Sequence, residues 1–393
     1  MTSLRREIAD AVSKPAKMTR DELLNEYKGT QIMYRIDVSG VDLQGLDLSH
    51  AVWEECILDG ADLRGATIAS SAFNACSFAG ARLDGADATS AIFSKPDLTG
   101  VQFGTVRLPS AVFQNTRIVG NSLADAFLDG AMFNKLDLTG TTFPRSLKRS
   151  VFASSILANA NLAGANLERC AFLKCKTGGI DLTRAVLLQC LLVKPDLTTA
   201  RMEGIRMNRC NIVEAKLPGR HFDDVDFSMT QFIKAEMPRT SFCNAMLKNC
   251  NFQQSNLDHA DFSGAQIENG LFAGAILTSA RLAGARIPNG SFAGANLDKA
   301  DLHSAVLTHA NFTKARLTGA SLRETKLANA LFNHADLTGT DFGGADVNRA
   351  RLHRAIESGT NWRNANRKAA LEDDAELKRA EDWPTARKAG APS

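Results

Sequence analysis

A five-residue unit decides the fold of this chain, and two of its copies read Ala61-Asp62-Leu63-Arg64-Gly65 and Ala295-Asn296-Leu297-Asp298-Lys299. The third residue of each unit, called the centre below, is a large apolar residue. Every fifth residue follows this rule over residues 38–143 and, after a shift of one residue, over residues 147–352, with one exception in each stretch. In total 62 of 64 centres conform, so the repeat determines the architecture.

The other positions of the unit are also restricted. The residue two before the centre is small, and the residue just before the centre is polar, often Asp or Asn. Of the 29 glycines, 21 lie two residues after a centre, and five of the ten prolines lie one residue after a centre. A β-turn favours proline and then glycine at these two positions. The chain is therefore expected to run as short strands that bend every five residues.

Centre and small residue alternate around one outward polar residue, which is the period of a β-strand, so the interior should be narrow. The units closely resemble the pentapeptide-repeat family, whose motif is A(D/N)LxX, over residues 36–355. The resemblance implies an all-β solenoid, a right-handed quadrilateral β-helix with one unit per side. Four units per coil give about 16 coils and a length of roughly 75 Å, at about 4.8 Å per coil.

Reading every twentieth residue tests whether the coils stack. One side of the expected solenoid carries an aromatic column that contains twelve of the 21 phenylalanines. Its members are Trp53, Phe73, Phe93, Phe113, Phe133, Phe152, Phe172, Leu192, Ile212, Phe232, Phe252, Phe272, Phe292, Phe312 and Phe332. The column continues across the register shift at 143–147, so residues 36–360 are expected to form one solenoid.

Both ends of a solenoid need caps, because the terminal strands expose unpaired edges. Residues 1–35 are expected to form a helical cap, with one helix near residues 3–12 and a second opened by a capping box at Thr19–Glu22. Residues 361–382 are expected to form a charged helix and residues 383–393 a disordered tail. The C-terminal helix either caps the solenoid or makes a dimer contact of the kind the family sometimes makes. That contact would use Trp362, Leu371, Leu377 and Trp383.

The composition and motifs exclude several classes of protein. No stretch approaches the roughly 18 apolar residues of a membrane span, and Glu7 and Asp10 interrupt any signal-peptide core. We therefore expect a bacterial cytoplasmic protein with reduced cysteines. Seven of the eight cysteines occupy the small position, which favours apolar packing over metal binding, whereas Cys243 lies in a turn and is expected to be exposed.

No catalytic pattern is present. The sequence contains no HExxH motif, glycine-rich phosphate loop or nucleophile elbow, and the seven histidines are scattered over outward and turn positions. A narrow, filled interior also leaves no pocket of catalytic size. We expect a protein that is not an enzyme and uses no cofactor or metal.

The outward charges bear on a second expectation from the family. Residues 36–360 carry 32 basic and 32 acidic side chains. The members of the family that mimic DNA and bind DNA gyrase look acidic along the solenoid, so a neutral exterior makes mimicry the weaker hypothesis. The same neutrality makes binding of nucleic acid unlikely to be the function.

An apolar stripe occupies the outward position just before the aromatic column, where Asp or Asn is usual. Its members are Val52, Ala72, Ile92, Val112, Met132, Val151, Ala171 and Leu191. Two residues past the same column lie Lys95, Lys135, Lys174 and Lys194. An apolar band with a basic border is typical of a protein-binding face. Two alternatives are open: β-branched residues favour flat strands, or the N-terminal segment covers the stripe.

These features together predict a non-enzymatic scaffold or adaptor that binds another protein. Asp21–Leu24 and Val41–Leu48 resemble pentapeptide-repeat proteins encoded in type VI secretion clusters, which implies an accessory role in effector loading or delivery. The alternatives are an inhibitor or protector of a topoisomerase such as gyrase, and a secreted effector that binds host proteins.

Overall fold

The computed structural model describes residues 14–389, and the chain divides into two units, Met1–Ile205 and Arg206–Ser393. The helix predicted near residues 3–12 and the end of the predicted tail lie outside the described residues. Each unit is a parallel β-solenoid in which a residue pairs with the residue 20 positions later, as Asp62 does with Arg82 and Asp301 with Ser321. The predicted fold class is thereby confirmed.

Unit 1 begins with a short strand and a helix and continues as three-residue strands separated by turns. Its elements are β1 (Ala16–Lys17), α1 (Arg20–Gly29), β2 (Ile32–Tyr34), β3 (Ile36–Asp37), β4 (Val52–Glu54), β5 (Ala72–Asn74), β6 (Ile92–Ser94), β7 (Val112–Gln114), β8 (Met132–Asn134), β9 (Ser146–Lys148), β10 (Val151–Ala153), β11 (Asn166–Glu168), β12 (Ala171–Leu173), β13 (Val186–Leu188) and β14 (Leu191–Val193). Strands β9, β11 and β13 form one sheet, and the strands of the aromatic side form another.

The register shift lies within unit 1. Val112 pairs with Met132, which is 20 residues later, whereas Met132 pairs with Val151, which is 19 residues later. The 20-residue spacing returns where Ser146 pairs with Asn166. The corner around Pro144 is therefore one residue short, and the strands stack across it without interruption.

Unit 2 contains β15 (Arg206–Asn208), β16 (Asn211–Val213), β17 (Gln231–Ile233), a short 3₁₀ helix (Arg367–Ala369) and α2 (Ala375–Ala389). After Ile233 its coils pair through single residues, and the last such pair is Arg351 with Leu371. Eleven strands thus lie on the aromatic side, nine in unit 1 and two in unit 2. The number of these strands is smaller than the predicted number of about 16 coils, because the coils after Ile233 pair through single residues and carry no three-residue strand.

The corners of the later coils differ from at least one corner that follows a three-residue strand. In unit 2 the carbonyl of Phe272 accepts the N–H of Ala275 at 3.0 Å. This is the closing bond of a type II β-turn, and Gly274 supplies the positive φ, +66°, that the turn requires. In unit 1 the corner after Phe93 cannot form this bond, because Pro96 has no N–H. A three-residue strand, β6, forms there instead.

The aromatic column fills the interior of both units. In unit 1 consecutive rings from Trp53 to Phe172 stack with centroids 4.8–5.8 Å apart. In unit 2 the rings from Phe232 to Phe332 stack at 4.9–5.4 Å with planes within 10° of parallel. These distances lie in the range of favourable aromatic pairs, and the column predicted from the sequence is confirmed.

Polar residues at the small position two residues before a centre can donate a hydrogen bond to the preceding coil, although the buried Thr230 Oγ1 has no partner. Ser71 Oγ donates to the carbonyl of Leu48 at 2.9 Å, and Cys250 Sγ donates to the carbonyl of Phe227 at 3.1 Å. All eight cysteines are free thiols, and the seven in small positions are buried. Burial raises the pKa of Cys250 to about 12. These cysteines therefore act as small interior residues with an extra contact to the preceding coil.

Cys243 is half-buried, whereas the sequence predicted it to be exposed. Its N–H donates to Asp223 Oδ1 at 2.9 Å, and its sulfur lies 3.3 Å from Ser241 Oγ. Partial burial raises the pKa of the Cys243 thiol. The cause is the close stacking of corners in neighbouring coils, which shields the edge of each turn.

The N-terminal cap closes the first coil. In α1, Glu22 N–H donates to Thr19 Oγ1 at 3.4 Å and Thr19 N–H donates to Glu22 Oε2 at 2.8 Å, which forms the predicted capping box. Arg20 Nη1 donates to the carbonyl of Asp42 at 2.9 Å, and Leu23 is fully buried. The helix thus satisfies an edge carbonyl and covers the exposed end of the core.

The C-terminal helix spans Ala375–Ala389, which differs from the predicted range 361–382, and residues 383–389, predicted to belong to a disordered tail, are helical. Asn361 still pairs with Asp341 as part of a coil, and the Trp362 ring stacks on Phe342 at 4.2 Å. The helix α2 begins only at Ala375, after Asp374 Oδ1 accepts the N–H groups of Glu376 and Leu377, each at 3.0 Å. The coil continues because Trp362 extends the interior aromatic packing by one more residue.

We expect Phe113→Ala to lower the free energy of unfolding by about 3–5 kcal/mol, because it leaves a cavity in the aromatic column. Phe113 is 1% exposed and stacks on Phe93 at 4.8 Å and on Phe133 at 5.5 Å. The matched control is Phe127→Ala, since Phe127 is outward and 55% exposed. It should cost less than about 1 kcal/mol. Urea unfolding followed by circular dichroism measures both, and equal losses would contradict the stacked interior.

We also expect one thiol per folded chain to be accessible to a labelling reagent, whereas the seven buried thiols are not. At neutral pH Ellman's reagent should label Cys243 alone, more slowly than a free thiol because the pKa of Cys243 is raised. All eight thiols should react after unfolding in guanidinium chloride. Cys243→Ser should abolish labelling of the folded protein. Labelling of further cysteines before unfolding would show that the small positions are not sealed.

Candidate protein-binding surface

The apolar stripe lies along one sheet of unit 1. Each member begins a three-residue strand whose middle residue points into the core, so the stripe residues point outward. Strand pairing places them side by side in the order Val52, Ala72, Ile92, Val112, Met132, Val151, Ala171 and Leu191. At about 4.8 Å per strand the stripe is about 34 Å long.

The stripe is open to solvent in the described part of the chain. Val52, Ile92 and Met132 are 38%, 42% and 41% exposed, and the other members are half-buried by their neighbours along the stripe. In the described part of the N-terminal cap, residues 14–35, Tyr27 of α1 donates to the carbonyl of Ser49, and Ile32–Tyr34 extend the sheet edge to edge with β4 instead of lying over its outer face. Residues 14–35 therefore leave the stripe uncovered.

The four lysines occupy corners at the far end of the same strands. Lys95, Lys135, Lys174 and Lys194 are exposed and have φ angles of 52–56°. Each follows the outward stripe residue of its strand by three positions, or about 10 Å along the chain. One face of unit 1 thus combines an apolar stripe with a discontinuous row of positive charge.

Several apolar residues of this face were not predicted. Ile32 pairs with Val52 and is 60% exposed, so the stripe begins one coil earlier than the repeat pattern indicates. Leu173 and Val193 pair with one another in the row beside the stripe. On the neighbouring side Leu188 is 38% exposed. The apolar run Ala185–Val193 could have predicted these residues. It spans two neighbouring strands and the corner between them, and alternate residues of each strand point outward.

Some of the outward charges elsewhere form ion pairs. In unit 1 Asp62 pairs with Arg64 at 2.6 Å and with Arg82 at 3.3 Å, and hydrogen bonds from Arg64 hold the pKa of Asp62 below its usual range. In unit 2 Arg316 pairs with Asp298 at 2.5 Å. Asp62 and Asp298 are therefore paired with arginines of the same or the next coil, which interrupts the acidic charge at these two places.

The four residues predicted for a dimer contact separate into two groups. Trp362 is half-buried, stacked on Phe342 and covered on its other side by Arg367, whose Cζ lies 5.1 Å from the ring centroid. Leu371, Leu377 and Trp383 are 46%, 40% and 68% exposed. Trp362 therefore belongs to the C-terminal cap, and the other three residues remain available for contact.

No helix among the described residues is long and apolar enough to cross a membrane. Comparison with known proteins identifies eight matches to the family described as pentapeptide repeats. The matches cover residues 39–70, 71–108, 226–264, 235–272, 255–289, 275–313, 289–323 and 315–354, which together make up about half of the chain. No curated protein matches the chain.

Solved structures of the same type include HetL, a pentapeptide repeat protein involved in heterocyst differentiation in the cyanobacterium Nostoc. It is 18% identical, the alignment covers 91% of this chain and 98% of that chain, and the TM-score is 0.20. QnrB1, a plasmid-mediated fluoroquinolone resistance protein, is 15% identical, with 70% and 97% coverage and a TM-score of 0.25. A pentapeptide repeat protein of the Arabidopsis thaliana thylakoid lumen is 28% identical over 23% of this chain and 70% of that chain, with a TM-score of 0.15.

The matched segments fall in both units, and their five-residue spacing is the spacing of the corners and stacked centres described above. On these grounds the chain belongs to the pentapeptide repeat family.

Proposed function

We propose that this protein is a non-enzymatic scaffold that binds a partner protein through the apolar stripe of unit 1. The observation that supports the proposal is the continuous row of outward apolar side chains in paired strands, with Ile92 and Met132 more than 40% exposed. A soluble protein rarely leaves a long apolar band uncovered unless the band binds something. Free cysteines suit a reducing compartment such as the bacterial cytoplasm.

The lysines beside the stripe indicate the charge of the partner. Lys95 and Lys135 lie at the corners of β6 and β8, at the edge of the face. At physiological ionic strength their field extends about 8 Å, so an acidic rim around an apolar patch would be attracted and oriented. The proposed partner surface is therefore apolar at its centre and acidic on one side.

A role in loading or delivery of type VI effectors is one form that this scaffold function could take. This role is supported only by the resemblance of Asp21–Leu24 and Val41–Leu48 to pentapeptide-repeat proteins of type VI secretion clusters. Both segments also have a structural role, because α1 caps the first coil and Arg20 bonds to the carbonyls of Asp42 and Gln44. Another form of the scaffold function is that of a secreted effector that binds host proteins.

Gyrase inhibition or protection is the second candidate function, and it is of a different class. QnrB1, a fluoroquinolone resistance protein, has the same type of repeat. Against this candidate, the arginine partners of Asp62 and Asp298 interrupt any DNA-like acidic surface. The apolar stripe also has no counterpart on a DNA surface lined by phosphates.

We expect Val112→Asp combined with Met132→Asp to reduce partner recovery at least tenfold, a loss of about 1.4 kcal/mol, because two carboxylates would be buried at the interface. Quantitative mass spectrometry of proteins recovered with the full chain from the source organism measures the loss. Both positions are outward, so circular dichroism should show an unchanged fold.

The matched control is Met246→Asp combined with Ile276→Asp, at outward residues of unit 2 that are 39% and 45% exposed. It should retain the partner. Equal recovery by both double variants would refute the proposed face. Salt-sensitive, sub-stoichiometric inhibition of gyrase supercoiling by the purified protein, retained in the stripe variant, would instead establish the second candidate function.

A homodimer through the C-terminal helix is a separate part of the proposal. Leu377 and Trp383 expose large apolar surfaces on α2. Leu377→Asp combined with Trp383→Asp should convert a dimer to a monomer, because the variant places charge in an apolar contact. Sedimentation velocity measures the change. A monomeric wild-type chain, or a dimer that persists in the variant, would contradict this contact.

A further inference from the structure

Two histidines of the last coils and one carboxylate of α2 come together in unit 2. His334 Nε2 lies 3.1 Å from Glu381 Oε1, and His353 Nε2 lies 3.4 Å from Glu381 Oε2. One nitrogen or oxygen atom from each residue lies within 4.8 Å of the other two. Among the described residues no other group of three His, Cys, Asp or Glu side chains meets this criterion.

The separations suit a tetrahedral zinc ion. With Zn–N and Zn–O distances of about 2.0–2.2 Å, neighbouring ligand atoms of a tetrahedron lie about 3.3–3.6 Å apart. The two histidine–glutamate distances, 3.1 Å to Oε1 and 3.4 Å to Oε2, are close to this range; they reach the two oxygens of one carboxylate, of which a tetrahedral ion would take one. Two histidines and one glutamate are a donor set that zinc accepts, with water at the fourth position.

The outer surroundings of His353 also fit a ligand. His353 is 2% exposed, and its Nδ1 lies 3.5 Å from Asp373 Oδ1 and 3.2 Å from the N–H of Asp374. In the structure Nδ1 accepts the N–H of Asp374, so a metal on Nε2 requires the proton to move to Nδ1, where the carboxylate of Asp373 would accept it in place of the bond from Asp374. Such carboxylate–histidine–metal arrangements orient the ring and strengthen its binding.

The remaining charge at the cluster is Arg354. Its Nε lies 3.1 Å from Glu381 Oε2, and its Nη2 also pairs with Asp382. Binding of a cation by Glu381 would therefore weaken one of the ion pairs of Arg354 and leave the pair with Asp382.

A metal ion would stabilise the packing of α2 on the coils, because α2 itself buries little apolar surface. Leu377 and Trp383 are 40% and 68% exposed, so the contacts of α2 with the coils of unit 2 are mainly polar. We propose that His334, His353 and Glu381 form a Zn²⁺ site that joins α2 to the last coils of unit 2. This inference is independent of the proposed partner-binding face.

The test is Zn²⁺ and Co²⁺ binding to the full chain, free of any purification tag and first treated with chelator. We expect one Zn²⁺ per chain by isothermal titration calorimetry. With Co²⁺ we expect the intense visible absorption of tetrahedral coordination. Glu381→Gln and His334→Ala should each weaken Zn²⁺ binding more than tenfold, since even the loss of outer contacts costs about 10–100-fold.

The matched control is His309→Ala, because His309 is an exposed corner histidine two residues after Leu307, as His334 is after Phe332. It should bind Zn²⁺ like the wild type, and circular dichroism should show all variants folded. Absence of stoichiometric Zn²⁺ binding by the wild type would overturn the site. So would unchanged affinity in Glu381→Gln and His334→Ala, or an octahedral Co²⁺ spectrum.

Discussion

The width of the interior is the constraint on which the rest of this structure depends. A side of only five residues leaves space for one large apolar centre and one small residue, so Phe292, for example, must stack directly on Phe272 and Phe312 at 4.9 Å. The same constraint admits Ser, Thr and Cys at the small position, where their donors can reach a carbonyl of the preceding coil, as Ser71 reaches Leu48. Among the described residues the centres and small positions fill the interior, so the side chains exposed to another molecule are the outward ones.

The narrow interior requires a sharp corner every five residues, and the backbone conformation at these corners is energetically unfavourable. Lys95, at a φ of 52°, and many other non-glycine corner residues adopt the left-handed conformation, which costs roughly 1–2 kcal/mol each. Side-chain contacts offset part of the cost. Asp336 Oδ1 accepts the N–H of Thr338 at 3.0 Å, and hydrogen bonds from Thr338 hold the pKa of Asp336 below its usual value. This contact explains in physical terms why Asp and Asn precede so many centres.

The sequence predicted what the repeat determines and little of what lies beyond it. The aromatic column, the shift near Pro144 and the buried cysteines follow from spacing alone, because each position of the unit has one steric environment. The start of α2 at Ala375 could not be read in this way, since the stacking of Trp362 on Phe342 extends the coil past the last regular unit. The cluster of His334, His353 and Glu381 depends on how that helix returns to the coils, which no local pattern encodes.

Outward residues are the only ones that the fold leaves free, so departures from the usual outward chemistry are the best guide to function. An apolar residue before a centre gives up the turn contact that Asp336 makes with Thr338, and its exposed side chain gains nothing in return in the isolated chain. Ile276 of unit 2 is a single exception in its row, because the residues that pair with it in the adjacent coils are Asn256 and Asn296. Nine aligned exceptions from Ile32 to Leu191 lose that contact coil after coil, and burial against another molecule is the physical gain that would offset the loss.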